Sequence, residues 1–416
     1  MIEPTRTLAA VSFTVAARLI VLVTGFAASV LTARGLGVEG RGQYYAVMTL
    51  AAIIAQIGNL GLSSSNTFLA SRDREHSWPL AVNSLWIALA SGVATVIIVL
   101  LFGDFIAARL DVQGGLAWAL CLLAPAIMAF TLGSSILVAN ERFFAMNLWS
   151  MINAGLVLTG VTVCMAFTND SAVFVLVTLA AAVLAAVGLF FDLGRGLSSK
   201  TGWRFDSGRM RAGMQFASRA YLALLAGFLI QRLGVALLTA YRSPAEIGVY
   251  SIAAQISDVL IILPTSMALV LFPMLIRDPA AAWKRTRQAL WLVVAVMTAV
   301  SLGTWWLGEW AISLVFGAPF APAARILLWM LPAVFAISVT SILSQYVVAQ
   351  GFPRSLVVLW LSGLALAVAA GIPLVISRGA VGAALAQSLS AVIVLLGVLA
   401  LTLRRLRQSS IIGSRA

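Results

Sequence analysis

Arg18, Arg219 and Arg232 each interrupt a stretch of sequence that is otherwise apolar. A guanidinium cannot shed its proton at any attainable pH, so each of these positions stays charged. At the centre of a membrane-spanning helix such a charge costs roughly 2.5–3.5 kcal/mol, so it belongs in a bundle interior or a wet cavity, beside an anion. The apolar stretches supply one acid near mid-depth, Asp258. One carboxylate cannot neutralise three guanidiniums. The missing counter-charge therefore points to an anionic ligand, and the arginine fork suits phosphate or carboxylate oxygens. Asp258 has two readings: a plain ion pair with an arginine, or a titrating site coupled to H+ or Na+. Polar residues within the apolar stretches, among them Asn66, Gln231, Gln255 and Gln345, can line a polar cavity or simply hydrogen-bond between packed helices.

Other chemistries find little support in the residues. Cys121 and Cys164 stand in separate apolar stretches without a CxxC or a histidine at ligand spacing, so they read as small packing residues. The single histidine, His76, sits in the polar segment SRDREHSW and reads as a loop residue. There is no nucleophile–base constellation, Walker loop or metal-ligand spacing. The expectation is a protein that is not an enzyme and holds no cofactor or metal. Its turnover would be driven by an ion gradient or by consumption of the product.

The elements that position these residues follow from composition. The chain is 62% hydrophobic and 10% charged, a balance no soluble surface can accommodate. Apolar runs of about 18–25 residues recur along it, each long enough to cross the hydrocarbon core as a helix. They predict an all-α integral membrane protein with about twelve spans, near residues 9–32, 44–69, 80–102, 116–139, 147–167, 172–191, 214–239, 249–273, 288–308, 322–349, 355–376 and 383–403. The first run reads as a retained helix rather than a cleavable signal. Eighteen basic residues fall in the segments on the side of the termini and five on the other, which predicts cytoplasmic termini. The net charge of +13 is thus a topology signal and not a nucleic-acid footprint. Trp78, Trp283, Trp305, Trp306 and Trp310 near span ends suit interfacial anchoring, and Arg325 an outer-interface position. Pro264, Pro332 and Pro373 fall inside spans and predict kinks.

The chain also repeats itself. VLTARGLGVEGRGQYYAV after the first span echoes LLTAYRSPAEIGVYSIAA after the seventh, sharing Leu-Thr-Ala and a Gly-x-Tyr (Gly42/Tyr44 and Gly248/Tyr250). The longest connection, basic and Gly/Ser-rich, separates the two halves. The expected organisation is an N-terminal six-helix bundle (1–195), a cytoplasmic linker (196–213), a C-terminal six-helix bundle (214–403) and a basic tail (404–416). Each half has an even number of spans, so the bundles insert in parallel, as in transporters with a central cavity. Thirteen residues separate Arg219 from Arg232, a turn of about 220° on a helix, so the two leave it in different directions.

The segments ARGLGVEGRGQYYAV, IGNLGLSSSNTFLAS, LVLFPML, LVFGAPFAPAARILLWMLPAVF, ANERFF and AQGFPR together resemble the Wzx-like polysaccharide exporters and lipid-linked oligosaccharide flippases of the MOP superfamily. The resemblance implies the V-shaped fold shared with MATE-type multidrug exporters. It implies a bacterial inner-membrane protein that moves undecaprenyl-pyrophosphate-linked oligosaccharide from the cytoplasmic to the periplasmic leaflet. Membrane lipids, a polysaccharide polymerase and a chain-length regulator are the implied partners, with no nucleic acid. The lipid II flippase branch usually carries a further pair of spans. The competing reading is an ion-coupled multidrug exporter of the same fold. Such an exporter wants carboxylates in its cavity, whereas the deep charge here is mainly positive.

Overall fold

The structure is a computed structural model describing residues 4–110, 115–196 and 202–413; the side chains of residues 4–12, 76, 110, 115, 212, 215–220 and 409–413 lie outside what is described. Eleven α-helices follow in order: α1 (Pro4–Asn59), α2 (Leu62–Arg72), α3 (Ser77–Leu110), α4 (Gly115–Ala139), α5 (Phe143–Phe167), α6 (Ser171–Gly196), α7 (Ser207–Tyr241), α8 (Pro244–Arg277), α9 (Ala282–Phe316), α10 (Ala323–Ala349) and α11 (Arg354–Gly413). Short 3-10 turns at Arg74–His76 and Ala318–Phe320 complete the order, and there is no strand among the described residues.

Ten helices are long and apolar enough to cross a membrane, and two of them, of 47 and 55 residues, have the length for two crossings each. Both are interrupted where a glycine takes a left-handed φ: Gly37 at φ 66° in α1 and Gly379 at φ 55° in α11. Arg41 shows that the chain folds back at Gly37. Its Nη2 donates to Ser29 Oγ at 2.8 Å and its Nη1 to Thr32 Oγ1. Twelve residues of straight helix would span about 18 Å, beyond the reach of an arginine. The expected boundary between the first and second spans is therefore real, and so is that between the eleventh and twelfth. The second span is itself broken once more, at Leu60 (φ 49°) and Gly61 (φ 80°), where α1 hands over to α2.

The described chain falls into two compact units, Met1–Tyr221 and Leu222–Ala416. In the first unit α4 is the central helix and packs against α1, α2, α3 and α6. Its buried Met128, Ala129 and Leu132 meet Ala55, Leu62, Ala88 and Ala186. In the second unit α10 takes that place, against α8, α9 and α11, with Ala333, Val334, Ile337 and Tyr346 at its core. The fourth and tenth spans thus occupy matching central positions. The Gly-x-Tyr echo has a matching structural basis. Tyr44, on the second span, meets Thr178 Oγ1 on α6 at 3.1 Å. Tyr250, on the eighth span and fully buried, donates to Gln387 Oε1 on the twelfth at 3.4 Å.

Pro125, Pro264, Pro273, Pro332 and Pro373 all lie inside helices that continue through them. Around Pro264 the Thr265 hydroxyl turns back onto the carbonyls of Ile261 and Ile262, at 2.8 and 3.0 Å. Hydroxyls of this kind let a membrane helix tolerate the proline's missing donor.

Candidate functional site

Arg18 sits in the first half of α1, which runs parallel to α5. Thr14 Oγ1 accepts from Asn147 Nδ2 at 3.0 Å, and the Phe13 and Phe144 rings stack at 5.0 Å. Further along the same pair of helices, Gly35 packs on Met165. Ala17 is the buried position of this stretch, while Arg18 is exposed beside Leu19 and Ile20. Its own unit leaves the guanidinium uncovered, and Arg18 makes no hydrogen bond or ion pair with any described residue. On α5, six residues past Asn147 and so at about the depth of Arg18, the Oδ1 of Asn153 is buried without a donor. Among the described residues, a cation without an acid and a carbonyl oxygen without a donor thus occur at about one level of the α1–α5 pair.

In the second unit Arg232 on α7 pairs with Asp258 on α8, Nη2 to Oδ2 at 2.7 Å, and also lies over the Phe228 ring, 5.9 Å from its centroid. The pair is partly open, with the arginine 23% and the carboxylate 36% exposed. Gln231 adjoins it in sequence and donates back to the Gly227 carbonyl at 3.4 Å. Gln255 lies on α8 one turn from Asp258 and is half-buried. These four residues therefore gather on the α7–α8 pair.

The remaining sequence candidates do not join them. Gln345 is half-buried on α10, fifteen residues past Met330, which meets Ser257; that is about 22 Å along the helix. Asn66, 3% exposed, donates to Ser84 Oγ at 3.0 Å within the first unit. The side chains of Arg219 and His76 lie outside the described residues. Arg325 is exposed at the start of α10. Among the described residues no group of His, Cys, Asp and Glu is arranged to hold a metal ion.

Two further arginines, Arg41 and Arg242, are buried or bridging. Arg41 is 3% exposed and clamps the α1 turn. Arg242 donates to the carbonyls of Val375 and Ile376, at 3.0 and 2.7 Å. Those are the carbonyls that lose helical partners at the Gly379 turn. Glu246 closes the same corner, since its Oε2 accepts from the Ala380 amide at 3.2 Å. One ion-paired couple, Arg242 and Glu246, thus caps both broken helix ends.

A sequence profile described as Polysaccharide biosynthesis protein matches residues 7–277. The chain belongs to that family. No curated protein matches it in sequence. Among solved structures it is similar to the lipid II flippase MurJ in an inward closed conformation, with a TM-score of 0.76 at 14% identity over 93% of this chain and 86% of that one. An inward-facing multidrug resistance MATE family transporter of the MOP superfamily matches with a TM-score of 0.74 at 17% identity, over 95% of this chain and 96% of that one. A MOP superfamily transporter from Pyrococcus furiosus, described as having a binding pocket of reverse polarity, matches with a TM-score of 0.66 at 16% identity, over 95% of both chains. At these identities the likeness establishes the fold. This is a multi-pass membrane protein with the all-helical fold of the MOP transporters, in a polysaccharide biosynthesis family.

Proposed function

We propose that this protein is a flippase for a lipid-linked oligosaccharide, an undecaprenyl-pyrophosphate-linked unit or a similarly anionic glycolipid. It carries that lipid from the cytoplasmic to the periplasmic leaflet of a bacterial inner membrane by alternating access. The observation that carries the reading is Arg18: a permanent charge in a helix long and apolar enough to cross a membrane, exposed on its own unit and without an acid among the described residues. Such a charge is stable only where an anion or water reaches it. A pyrophosphate is the anion that a polysaccharide biosynthesis family would bring there, and the guanidinium fork binds it through two donors. Arg219 and Arg232 are further candidates for that role. The two six-helix bundles, 1–195 and 214–403, with the linker between them, are the proposed working parts. A polymerase and a chain-length regulator are the proposed downstream partners.

Asp258 is the proposed coupling residue. It is already ion-paired with Arg232 and partly open, so a proton or Na+ taken up there would weaken that pair. The test is Arg18→Ala in cells that depend on the protein for surface polysaccharide. Polymer should be lost while the protein remains inserted and folded. Surface polymer at unchanged level would end the reading. The competing reading, ion-coupled export of organic cations, draws on the MATE-like fold. It predicts dye efflux that responds to the proton gradient, and the cationic character of the deep sites argues against it.

A further inference from the structure

The connection between α6 and α7 is docked onto the first unit by a small set of specific contacts. Asn83 on α3 holds both backbone groups of Asp206: its Nδ2 donates to the carbonyl at 2.9 Å and its Oδ1 accepts from the amide at 2.8 Å. Trp86 Nε1 donates to the Trp203 carbonyl at 3.1 Å, and the Trp203 ring meets Trp78 edge-on at 5.3 Å. Asp206 then opens α7 by accepting from the Arg209 amide at 2.9 Å, and pairs with the Arg209 guanidinium.

This docking creates two adjoining clefts that share Gly202 and Trp203, each of about 590 Å³. One is walled by Trp78, Phe190 and Phe191 and rimmed by Arg195. The other carries Arg204 and Arg209. Acids do not balance the cations. Asp192 is taken by Arg142 at 2.7 Å and Asp206 by Arg209, while Arg195 and Arg204 have no carboxylate partner among the described residues. Arg195 lies instead over the Phe191 ring, 4.3 Å from its centroid, and Arg209 has a buried Nε without an acceptor. Trp203 is 64% exposed and Phe205 47%, so this stretch presents aromatic rings beside uncompensated cations at the end of the spans. That pairing is the mark of a surface seated among lipid headgroups.

We propose that these clefts form a binding site for one anionic phospholipid. The phosphate sits among Arg195, Arg204 and Arg209, and an acyl chain lies along Trp78, Phe190 and Phe191. Charge selects the headgroup and the aromatic wall selects a lipid over a free phosphate. The bound lipid would hold the α6–α7 connection against α3. The inference is independent of the transported substrate.

The test is native mass spectrometry of the full purified chain in neutral detergent, titrated separately with phosphatidylglycerol, phosphatidylcholine and inorganic phosphate. Phosphatidylglycerol should bind at least tenfold more tightly than phosphatidylcholine. The paired substitution Arg195→Gln/Arg204→Gln should weaken it by about tenfold, from roughly the contribution of one to two basic residues at an anionic surface. Both arginines are exposed, and Arg378→Gln, outside these clefts, serves as the matched control with binding unchanged. Trp203→Ala should weaken phosphatidylglycerol while leaving any phosphate binding as it was. Equal binding of the two lipids would overturn the proposal. So would equal loss in the control, or inorganic phosphate competing fully with the lipid. Because no substrate is present, failure here would leave the transport reading intact.

Discussion

Arg18 and Arg232 present the same charge to two different environments. Arg232 has a carboxylate at 2.7 Å, and Arg18 has no partner among the described residues. Replacing Asp258 removes the carboxylate that Arg232 pairs with at 2.7 Å. Because the pair is partly open, the cost is on the order of 1 kcal/mol and not the several expected of a sealed pair. Thermal unfolding should therefore show Asp258→Asn destabilised, with the double change Arg232→Gln/Asp258→Asn recovering part of the loss. Equal and additive losses would mean that the two groups act independently. Arg18→Ala should leave the unfolding midpoint nearly unchanged, since Arg18 is exposed and makes no hydrogen bond or ion pair with a described residue. At Arg18, lysine tests the fork itself: Arg18→Lys keeps the charge and loses the two-donor geometry, so transport should fall well below wild type while the fold persists.

At the scale of elements, the turns at Gly37 and Gly379 separate two effects. Both need a left-handed φ, which costs a substituted alanine about 1–2 kcal/mol. At Gly37 nothing lies near the new methyl, so Gly37→Ala should show that strain alone. At Gly379 the methyl would meet the Glu246 carboxylate that caps Ala380, so Gly379→Ala should be the more destabilising in a melting comparison. The α6–α7 connection has a pH signature. Chiefly the Arg209 backbone hydrogen bond holds the Asp206 carboxyl below its usual range. Its folded pKa is depressed, so its capping of α7 is complete above the ordinary aspartate value, about 3.9, and fades as pH falls through the lower folded value. The protection of the Gly208 and Arg209 amides, measured as exchange relative to the intrinsic rate at each pH, should fall on acidification below about pH 4 in the native chain. In Asp206→Ala, which removes the capping oxygen, protection should already be low at neutral pH and show no further loss on acidification.

Much of this level was legible in the chain. Span positions followed from apolar length, and Gly42/Tyr44 and Gly248/Tyr250 marked equivalent positions because each tyrosine hydroxyl needs a buried polar partner, Thr178 for one and Gln387 for the other. Arg41 was not legible. Its partners Ser29 and Thr32 come within reach only once the chain reverses at Gly37. Nor was the docking of Asp206 on Asn83, which joins residues 123 apart through an amide side chain with no distinctive spacing.

For the whole molecule, family membership and the MOP fold fix the class of machine, while the sign of its charge argues for what it moves. MurJ and MATE-type neighbours share this fold at 14% and 17% identity, so fold alone does not choose between glycolipid and drug. The proposed function makes that choice on Arg18: an organic cation would be repelled there, and an anionic glycolipid would supply a counter-charge that no described residue provides. The direct measurement is leaflet exchange in proteoliposomes carrying a fluorescent polyprenyl-pyrophosphate-linked sugar, with the outer leaflet quenched chemically. The account predicts protein-dependent exchange that Arg18→Ala abolishes, with no accumulation of cationic dye in the same vesicles. Gradient-driven dye transport without glycolipid exchange would contradict it.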